Sequence, residues 1–343
     1  TEIIRTTSEL AIELINRKKD ESIIFNYEKY IIKDIKDKYT YFSHICFGNI
    51  EIEKDKDIKI FRTGENDVEE FAKQLTNDID ELCVLQRMQI IHPFAYSNSD
   101  IRKQSKCFWG DMTKVPITRL DYEDDLFPTA LSMLHELLRK DNNYCNERKA
   151  KDKIHVTCRG QAILLASILK AKGYSARVRS GFAPYIKYDG VNYDHWITEY
   201  FDDEKGRWVL VDADEHCPDH EMGFDLNDIP RDKFIFGAEA YLGMRNNKYK
   251  TEEIYYASDP ATLGLKASIR GLFYDFHSLM NDEIIFLHLP KYIQDKNFEL
   301  SEDEYIELDK LAELLLEPDK NFDKILDIWN KEPKFRIMSG ALN

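Results

Sequence analysis

The stretch Thr157–Phe182, TCRGQAILLASILKAKGYSARVRSGF, predicts a helix followed by a strand. Thr157 is a residue type that caps helix starts, and the apolar residues that follow would cover most sides of a helix over Cys158–Lys172. Gly173 then stands where a left-handed residue ends a helix, and Tyr174–Phe182 predicts a strand. Because a helix that is apolar on most sides is buried, we expect this one to be the central helix of its domain.

A hairpin is predicted downstream, with strands His195–Phe201 and Arg207–Asp212 joined by the turn DDEKG at 202–206. If Phe201 pairs with Arg207, His195 falls opposite residue 213, one step from Asp212. A histidine and a carboxylate would then meet at the open end of the hairpin, as a base and the acid that orients it. Asp214, two steps further along, is the alternative orienting acid.

Cys158 is the one cysteine of six that falls in the first turn of a predicted helix, where the helix dipole stabilises a thiolate. It also lies within residues 147–179, which carry 9 basic and 2 acidic side chains, a net charge of +7. We therefore expect local positive charge to stabilise the thiolate. Cys158 is the candidate nucleophile, and the alternative is a small residue required at a crowded helix start.

Four segments resemble the core of the transglutaminase-like superfamily: CRGQA at 158–162, GYSARVRSGF at 173–182, DHWITE at 194–199 and WVLVD at 208–212. The resemblance implies a papain-like α+β fold in which a central helix packs on an antiparallel sheet. It also implies that Cys158 is the nucleophile, His195 the general base and acid, and Asp212 the orienting acid. Members of the family transfer acyl groups through a thioester, as protein cross-linking enzymes, cysteine peptidases or peptide:N-glycanases.

The expected function is therefore thiol-dependent cleavage or transfer of an amide-linked acyl group, and hydrolysis is favoured because water is the default acceptor. Protein cross-linking and deglycosylation are the alternatives within the enzyme class, and a non-catalytic papain-like binding scaffold is the alternative outside it. The backbone N–H of Cys158 is the one predictable oxyanion donor. Trp109 and Gln104 are open possibilities for a side-chain donor.

No cofactor and no metal are expected. The run HCPDH at 216–220 has two histidines at four-residue spacing, but its proline interrupts the helix that would bring them together, so we expect a polar loop. A calcium loop beginning at Asp212 would have Cys217 and Gly223 where glycine and glutamate are required. His277 is expected to be buried and hydrogen-bonded.

The composition places limits on partners. The net charge of −15 over 343 residues argues against general affinity for nucleic acid or anionic membrane surfaces. No apolar run is long enough for a membrane helix, the first residues lack a signal peptide, and the scattered cysteines indicate free thiols, so we expect a cytoplasmic protein.

Residues 201–232 and 299–327 each have a net charge of −8. The first of these predicts a protein or peptide substrate with basic groups near the scissile amide.

Three regions are expected: a mixed α/β region over 1–115, a catalytic core over 116–232 and a helical region over 233–343. Periodicity predicts further helices over Glu9–Lys18, Asn26–Tyr39, Val68–Gln89, Thr129–Arg139, Phe234–Met244, Leu263–Met280, Asp303–Leu316 and Asn321–Asn330. Strand-like runs occupy Ile45–Ile52 and Ile58–Arg62.

Overall fold

The computed structural model describes residues 22–25, 28–31, 66–97, 100–116, 119, 123–186, 189–214, 223–257, 262–282 and 288–337. Contacts divide the chain into two units, residues 1–63 and 64–343. In the first unit β1 (Ser22–Phe25) pairs antiparallel with β2 (Glu28–Ile31). The helix predicted over Asn26–Tyr39 is therefore wrong at β2, where tyrosine and isoleucine favour a strand. The predictions over residues 9–18, 45–52 and 58–62 lie outside the described residues.

The second unit is built from short strands and ten described helices. Its strands are β3 (Ile90–Ile91), β4 (Ile154–His155), β5 (Ala176–Ala183), β6 (Asn192–Asp202), β7 (Arg207–Val211), β8 (Ile235–Phe236) and β9 (Ile254–Tyr255). Its helices are α1 (Asn66–Ala72), α2 (Ile79–Arg87), α3 (Phe94–Ser97), α4 (Ala130–Lys140), α5 (Cys158–Ala171), α6 (Gly237–Arg245), α7 (Gly264–Leu279), α8 (Lys291–Asp295), α9 (Glu302–Leu315) and α10 (Pro318–Lys331).

A five-stranded sheet with α5 packed on it forms the centre of this unit. The sheet has the order β7-β6-β5-β8, all antiparallel, and β9 joins β6 in parallel orientation. Helix α5 contacts both β5 and β6. The α+β class and the central helix on an antiparallel sheet are therefore confirmed.

Helix α5 is buried along nearly its whole length, as its apolar sequence predicts. Near its start, Cys158 and Ala162 belong to a core cluster shared with the C-terminal helices. Further along, Ile163 and Leu164 belong to a second cluster, shared with α1 and α4. Gly173 has a φ of 93° just after the helix, in the left-handed region where glycine is favoured.

The predicted helix Val68–Gln89 is divided in the structure. Helix α1 ends at Ala72 and α2 begins at Ile79. Asp78 caps α2 by accepting a hydrogen bond from the Glu81 backbone N–H at 2.9 Å. Because a capping side chain satisfies the free N–H groups of a new helix start, the polar residues before Ile79 begin a second helix rather than continue the first.

The hairpin of β6 and β7 pairs one residue away from the predicted register. Phe201 lies opposite Trp208, and Asp202 lies opposite Arg207. Asp202 extends the strand because its carboxylate accepts hydrogen bonds from the backbone N–H groups of Glu204 and Lys205, both at 2.9 Å. The turn therefore has four residues, 203–206, instead of five.

Helices dominate the chain after Pro230, as predicted, with one local difference. Residues Ile235–Phe236, predicted as part of a helix, form β8 and pair with Gly181 and Phe182 of β5. Helices α6, α7, α9 and α10 contribute to the same core cluster as Cys158. No helix in the described ranges is long and apolar enough to cross a bilayer. The predicted three-region boundaries stay a prediction.

Candidate functional site

Cys158 is the first residue of α5 and is 6% exposed. Thr157 occupies the N-cap position, but its hydroxyl makes no hydrogen bond to the helix. Instead the hydroxyl donates to Asp124 Oδ1 at 2.7 Å, and the Thr157 backbone N–H also points at this carboxylate, at 3.2 Å. The side-chain cap predicted for Thr157 is therefore wrong, and Asp124 holds the backbone that leads into the thiol.

His195 and Asp212 form a buried pair, in which His195 Nε2 lies 2.8 Å from Asp212 Oδ2. Each residue is 1% exposed. The pairing of the two strands ends with Thr198 opposite Val211. Continued beyond that pair, the same register places Asp212 two residues from the position opposite His195, so that the two side chains share one face of the sheet. The predicted register would have put them on opposite faces, because neighbouring residues of a strand alternate between faces.

The Asp212 carboxylate is held by two more hydrogen bonds. Its Oδ2 accepts from the Tyr185 hydroxyl at 2.9 Å, and its Oδ1 accepts from the Asp214 backbone N–H at 2.9 Å. Arg87 donates to the Asp212 backbone oxygen at 3.0 Å. Burial raises the pKa of Tyr185 well above its ordinary value, and the Asp212 charge adds to this rise, so the hydroxyl stays a donor.

A second histidine and a second aspartate lie beside the thiol. One ligand atom each of His92, Cys158 and Asp214 lie within 4.8 Å of one another. His92 Nε2 is 3.4 Å from Asp214 Oδ2, and Gln161 Nε2 donates to Asp214 Oδ1 at 2.7 Å. The structure thus brings a histidine, a cysteine and an aspartate together. Asp214, considered above as an orienting acid for His195, pairs with His92.

His92 was not identified from the sequence, and the topology explains its position. It follows β3 directly, and β3 runs parallel to β4, which leads through Val156 and Thr157 to Cys158. Parallel strands end at the same edge, so His92 and the start of α5 lie close together. The pairing is two residues long, and no alternation or turn motif in the sequence signals it.

The electrostatic environment of the thiol is acidic. Burial raises the pKa of Cys158 well above its ordinary value, and the negative charges of Asp214, Asp194 and Asp212 raise it further. A backbone hydrogen bond from Trp196 acts in the opposite direction. The thiol is therefore neutral at physiological pH in the absence of a substrate.

The expected stabilisation of a thiolate by positive charge is wrong, because burial and the nearby carboxylates act against it. Most of the basic side chains of residues 147–179 also have other partners. Arg179 donates to both carboxylate oxygens of Asp275 at 2.8 Å. The others include Arg148 bonded to Gln89, Arg159 to the Pro128 backbone oxygen, Arg177 to Glu199, Lys170 to Asn281 and Lys172 to Asn77. The net charge of the segment is positive, but most of its basic side chains are bonded to groups other than the thiol.

The two residues considered as oxyanion donors lie in other surroundings. Trp109 is buried in a cluster with Ile91, Ala95 and Met112, a cluster that does not contain Cys158. Gln104 is exposed, and its backbone oxygen accepts from the Met112 N–H at 3.0 Å. His92 has a ring nitrogen within 4.8 Å of the Cys158 sulfur.

Two histidine predictions have different outcomes. His277 is fully buried, with Nδ1 2.7 Å from Asp282 Oδ2 and Nε2 3.0 Å from the Phe335 backbone oxygen, which confirms the structural role expected for it. The run at 216–220 lies outside the described residues, so the polar loop expected there stays a prediction.

Comparisons with known proteins found no matching family model, no matching curated protein and no matching solved structure. A function for this chain can therefore be inferred only from the site geometry and the sequence resemblance.

Proposed function

We propose that this chain is a thiol-dependent enzyme that cleaves or transfers an amide-linked acyl group through a thioester on Cys158. The observation that carries the proposal is the buried hydrogen bond of 2.8 Å between His195 and Asp212. Trp196, the residue after His195, makes a backbone hydrogen bond to the Cys158 thiol. The resemblance to the transglutaminase-like superfamily and its papain-like core supports the same assignment.

The hydrogen bond supports different roles for the two nitrogens of His195. A carboxylate accepts hydrogen bonds, so Nε2 carries the proton that is shared with Asp212, and Nδ1 is the atom that takes the thiol proton. Asp212 fixes this tautomer and stabilises the imidazolium that forms. Its own three hydrogen bonds hold it in place.

The raised pKa of Cys158 determines when the proton moves. Because the thiol is neutral before a substrate binds, transfer to His195 accompanies attack on the carbonyl, as in serine-based enzymes. Sulfur bonds to the acyl carbon, the amine departs with the proton from the imidazolium, and water or another amine then releases the acyl group. Hydrolysis is the proposed outcome, since water is always present as an acceptor.

The proposal is tested by acylation. The wild-type protein, treated with p-nitrophenyl acetate, should release p-nitrophenolate and carry an acetyl group on Cys158 when digested and analysed by mass spectrometry. Acylation should be abolished in Cys158→Ala, and it should fall by about 10²-fold or more in His195→Ala and Asp212→Asn. Cys145→Ala is the matched control, because Cys145 is a free cysteine of intermediate exposure.

If acetylation is spread equally over the cysteines, or if His195→Ala does not affect it, a non-catalytic scaffold is the better interpretation. For an active protein, adding a small primary amine separates the enzyme alternatives. Incorporation of the amine into a glutamine-containing protein would indicate cross-linking, and release of a glycan from a glycopeptide would indicate deglycosylation.

The proposed preference for basic substrates follows from the carboxylates near the thiol, Asp194, Asp212 and Asp214. Peptides with lysine or arginine near the scissile amide should be cleaved faster than acidic ones, and added salt should reduce the difference. Equal rates for both kinds of peptide at low salt would contradict the preference.

A further inference from the structure

We infer that Tyr185 is a positioning residue of the proposed reaction, because its hydroxyl shares the Asp212 oxygen that orients His195 and limits how strongly that oxygen holds the imidazolium. This role rests on the proposed function and adds to it a side chain from outside the Cys158–His195–Asp212 set. It follows from the shared oxygen, from the packing of the Tyr185 ring and from the protonation of its hydroxyl.

Asp212 Oδ2 takes part in two hydrogen bonds at once. His195 Nε2 lies 2.8 Å from this oxygen, and the Tyr185 hydroxyl donates to it at 2.9 Å. The other oxygen, Oδ1, accepts from the Asp214 backbone N–H at 2.9 Å. A donor on a carboxylate oxygen stabilises the negative charge and makes the oxygen a weaker partner for another proton. The strength of the His195–Asp212 hydrogen bond therefore depends on Tyr185.

The ring of Tyr185 is fixed by its surroundings. Tyr185 lies two residues past the end of β5 and is 3% exposed. Its ring is edge-on to the His195 ring, with centroids 6.2 Å apart, and to the Phe224 ring at 5.4 Å. It also belongs to an apolar cluster with Ile197 and Leu210. These contacts hold the hydroxyl on Oδ2, and they would hold a phenylalanine ring in the same place.

The hydroxyl remains a donor over the pH range in which histidines ionise. Burial raises the pKa of Tyr185 well above its ordinary value, and the negative charges of Asp212 and Asp214 raise it further. Histidines ordinarily ionise between about pH 5 and 8, far below the ionisation of such a hydroxyl. Any effect of Tyr185 on the pH dependence of the reaction therefore acts through Asp212, and not through ionisation of the tyrosine.

This balance matters because His195 exchanges a proton during the proposed reaction. Its Nδ1 must be unprotonated to accept the thiol proton, and it must hold that proton until the leaving amine takes it. Without the Tyr185 hydroxyl, Asp212 would stabilise the imidazolium more strongly, so fewer molecules would have a free Nδ1 at a given pH. Tyr185 thus keeps His195 available as a base, and no proton is transferred to or from the tyrosine.

Other ionisable groups face the same pair from the elements packed around it. They are Arg87 of α2, Asp194 of β6, Asp214 after β7 and Cys158 of α5. Each of them influences the charge on His195 or Asp212 in wild type and in a Tyr185 variant alike. A comparison that removes the hydroxyl and keeps the ring therefore isolates the contribution of Tyr185.

The test compares Tyr185→Phe with Tyr241→Phe. Tyr241 is the matched control, because it is also buried and its hydroxyl also donates to a carboxylate, Asp309 Oδ1, at 2.8 Å. In Tyr185→Phe the pH midpoint of acylation by p-nitrophenyl acetate should rise by about 0.5 to 1 pH unit. Acylation at pH values below the midpoint should fall by about 3- to 10-fold. Tyr241→Phe should keep the wild-type midpoint.

Two further measurements separate this role from a purely structural one. In an Asp212→Asn background, where no carboxylate remains, Tyr185→Phe should no longer move the midpoint. Incorporation of 3-fluorotyrosine at position 185, whose hydroxyl is a stronger donor, should lower the midpoint. Loss of packing alone would not produce shifts of opposite sign.

Other results contradict the role of Tyr185. An equal rise of the midpoint in Tyr241→Phe would assign the effect to general destabilisation, and a shift that persists in the Asp212→Asn background would show that Asp212 does not transmit it. An unchanged midpoint in Tyr185→Phe, with acylation still lost in His195→Ala, would overturn the inference and leave the proposed function standing. A wild-type Cys158 that is not acylated would remove both.

Discussion

Asp194, the residue before His195, is a carboxylate whose ionisation depends on folding. Burial raises its pKa to about 6, from an ordinary value of 3.8, while the Ala257 backbone N–H, which donates to its Oδ1 at 2.6 Å, acts in the opposite direction. An acid with a raised pKa in the folded state loses its proton more readily in the unfolded chain. Stability therefore decreases as pH rises from about 4 to about 6, and the full penalty persists above that range.

We predict that Asp194→Asn removes this penalty, because the amide oxygen can still accept from Ala257. The variant should be more stable than wild type above pH 6, by at most about 3 kcal/mol and by less to the extent that water reaches the carboxylate. Below pH 4 the two proteins should have similar stability. Urea unfolding at several pH values measures the difference, and a constant difference across this range would contradict the prediction.

At the level of residues, the sequence was informative where side-chain chemistry comes in a recognisable order. Cys158, His195 and Asp212 could be named as candidates because their order along the chain, a cysteine on a predicted helix and then a histidine and an aspartate on two predicted strands, resembles a family pattern. His92 could not be named, because it reaches the thiol through a two-residue parallel pairing. The charge around the thiol was also misjudged, because a sum over a segment ignores which basic side chains are bonded elsewhere.

Between elements, a buried ion pair joins the sheet to the C-terminal helices. Arg179 of β5 bonds to Asp275 of α7 through two nitrogens and to Glu199 of β6 at 3.0 Å, and its side chain is 2% exposed. Asp275 also accepts from the Ser180 backbone N–H at 3.2 Å. Removing Asp275 would leave the buried Arg179 charge with Glu199 as its remaining counter-charge, and Glu199 also bonds to Arg177.

Asp275→Asn is therefore expected to lower the free energy of unfolding by about 3 to 5 kcal/mol. The control is Asp327→Asn, which breaks a pair of 2.7 Å with Lys331 on the surface of α10 and should cost less than about 1 kcal/mol. Denaturant unfolding of both variants tests the contrast. Similar losses in the two would show that burial of the Arg179 pair does not determine its strength.

Among the elements, the helices could be located from apolar spacing, whereas their junctions could not. Spacing alone continued a helix across residues 73–78, where Asp78 in fact caps a new one. Spacing also missed β8, because Ile235 and Phe236 are as apolar as the helix that follows. The hairpin register was missed by one residue, since it depends on hydrogen bonds from the turn to the Asp202 side chain. The start of α2 and the hairpin register are set by polar contacts, which periodicity does not detect.

Across the second unit, the C-terminal helices and the thiol share one core. Leu308, Leu311 and Leu315 of α9 are fully buried in the cluster that also contains Cys158. Trp208 of β7 donates to Asp319 of α10 at 2.7 Å, which fixes α10 against the edge of the sheet. The C-terminal helices are therefore part of the fold that supports the thiol.

We predict that Leu311→Ala lowers the free energy of unfolding by about 2 to 5 kcal/mol, because it leaves a cavity in this core. Ile306→Ala, on the same helix, is the matched control. Ile306 is 42% exposed, so its truncation should cost less than about 1 kcal/mol. Thermal unfolding of both variants provides the measurement. A loss in Leu311→Ala no larger than in the control would mean that α9 is dispensable for the core.

The four-residue turn at 203–206 has a consequence for how this chain can vary over evolutionary time. Surface turns ordinarily tolerate insertions and deletions. Here the turn length sets which face of the sheet Asp212 occupies, so losing or gaining one residue would separate Asp212 from His195 while both strands still paired. We therefore expect descendants that keep the chemistry to vary the residues of this turn but conserve its length, and those that change the length to survive only in another role.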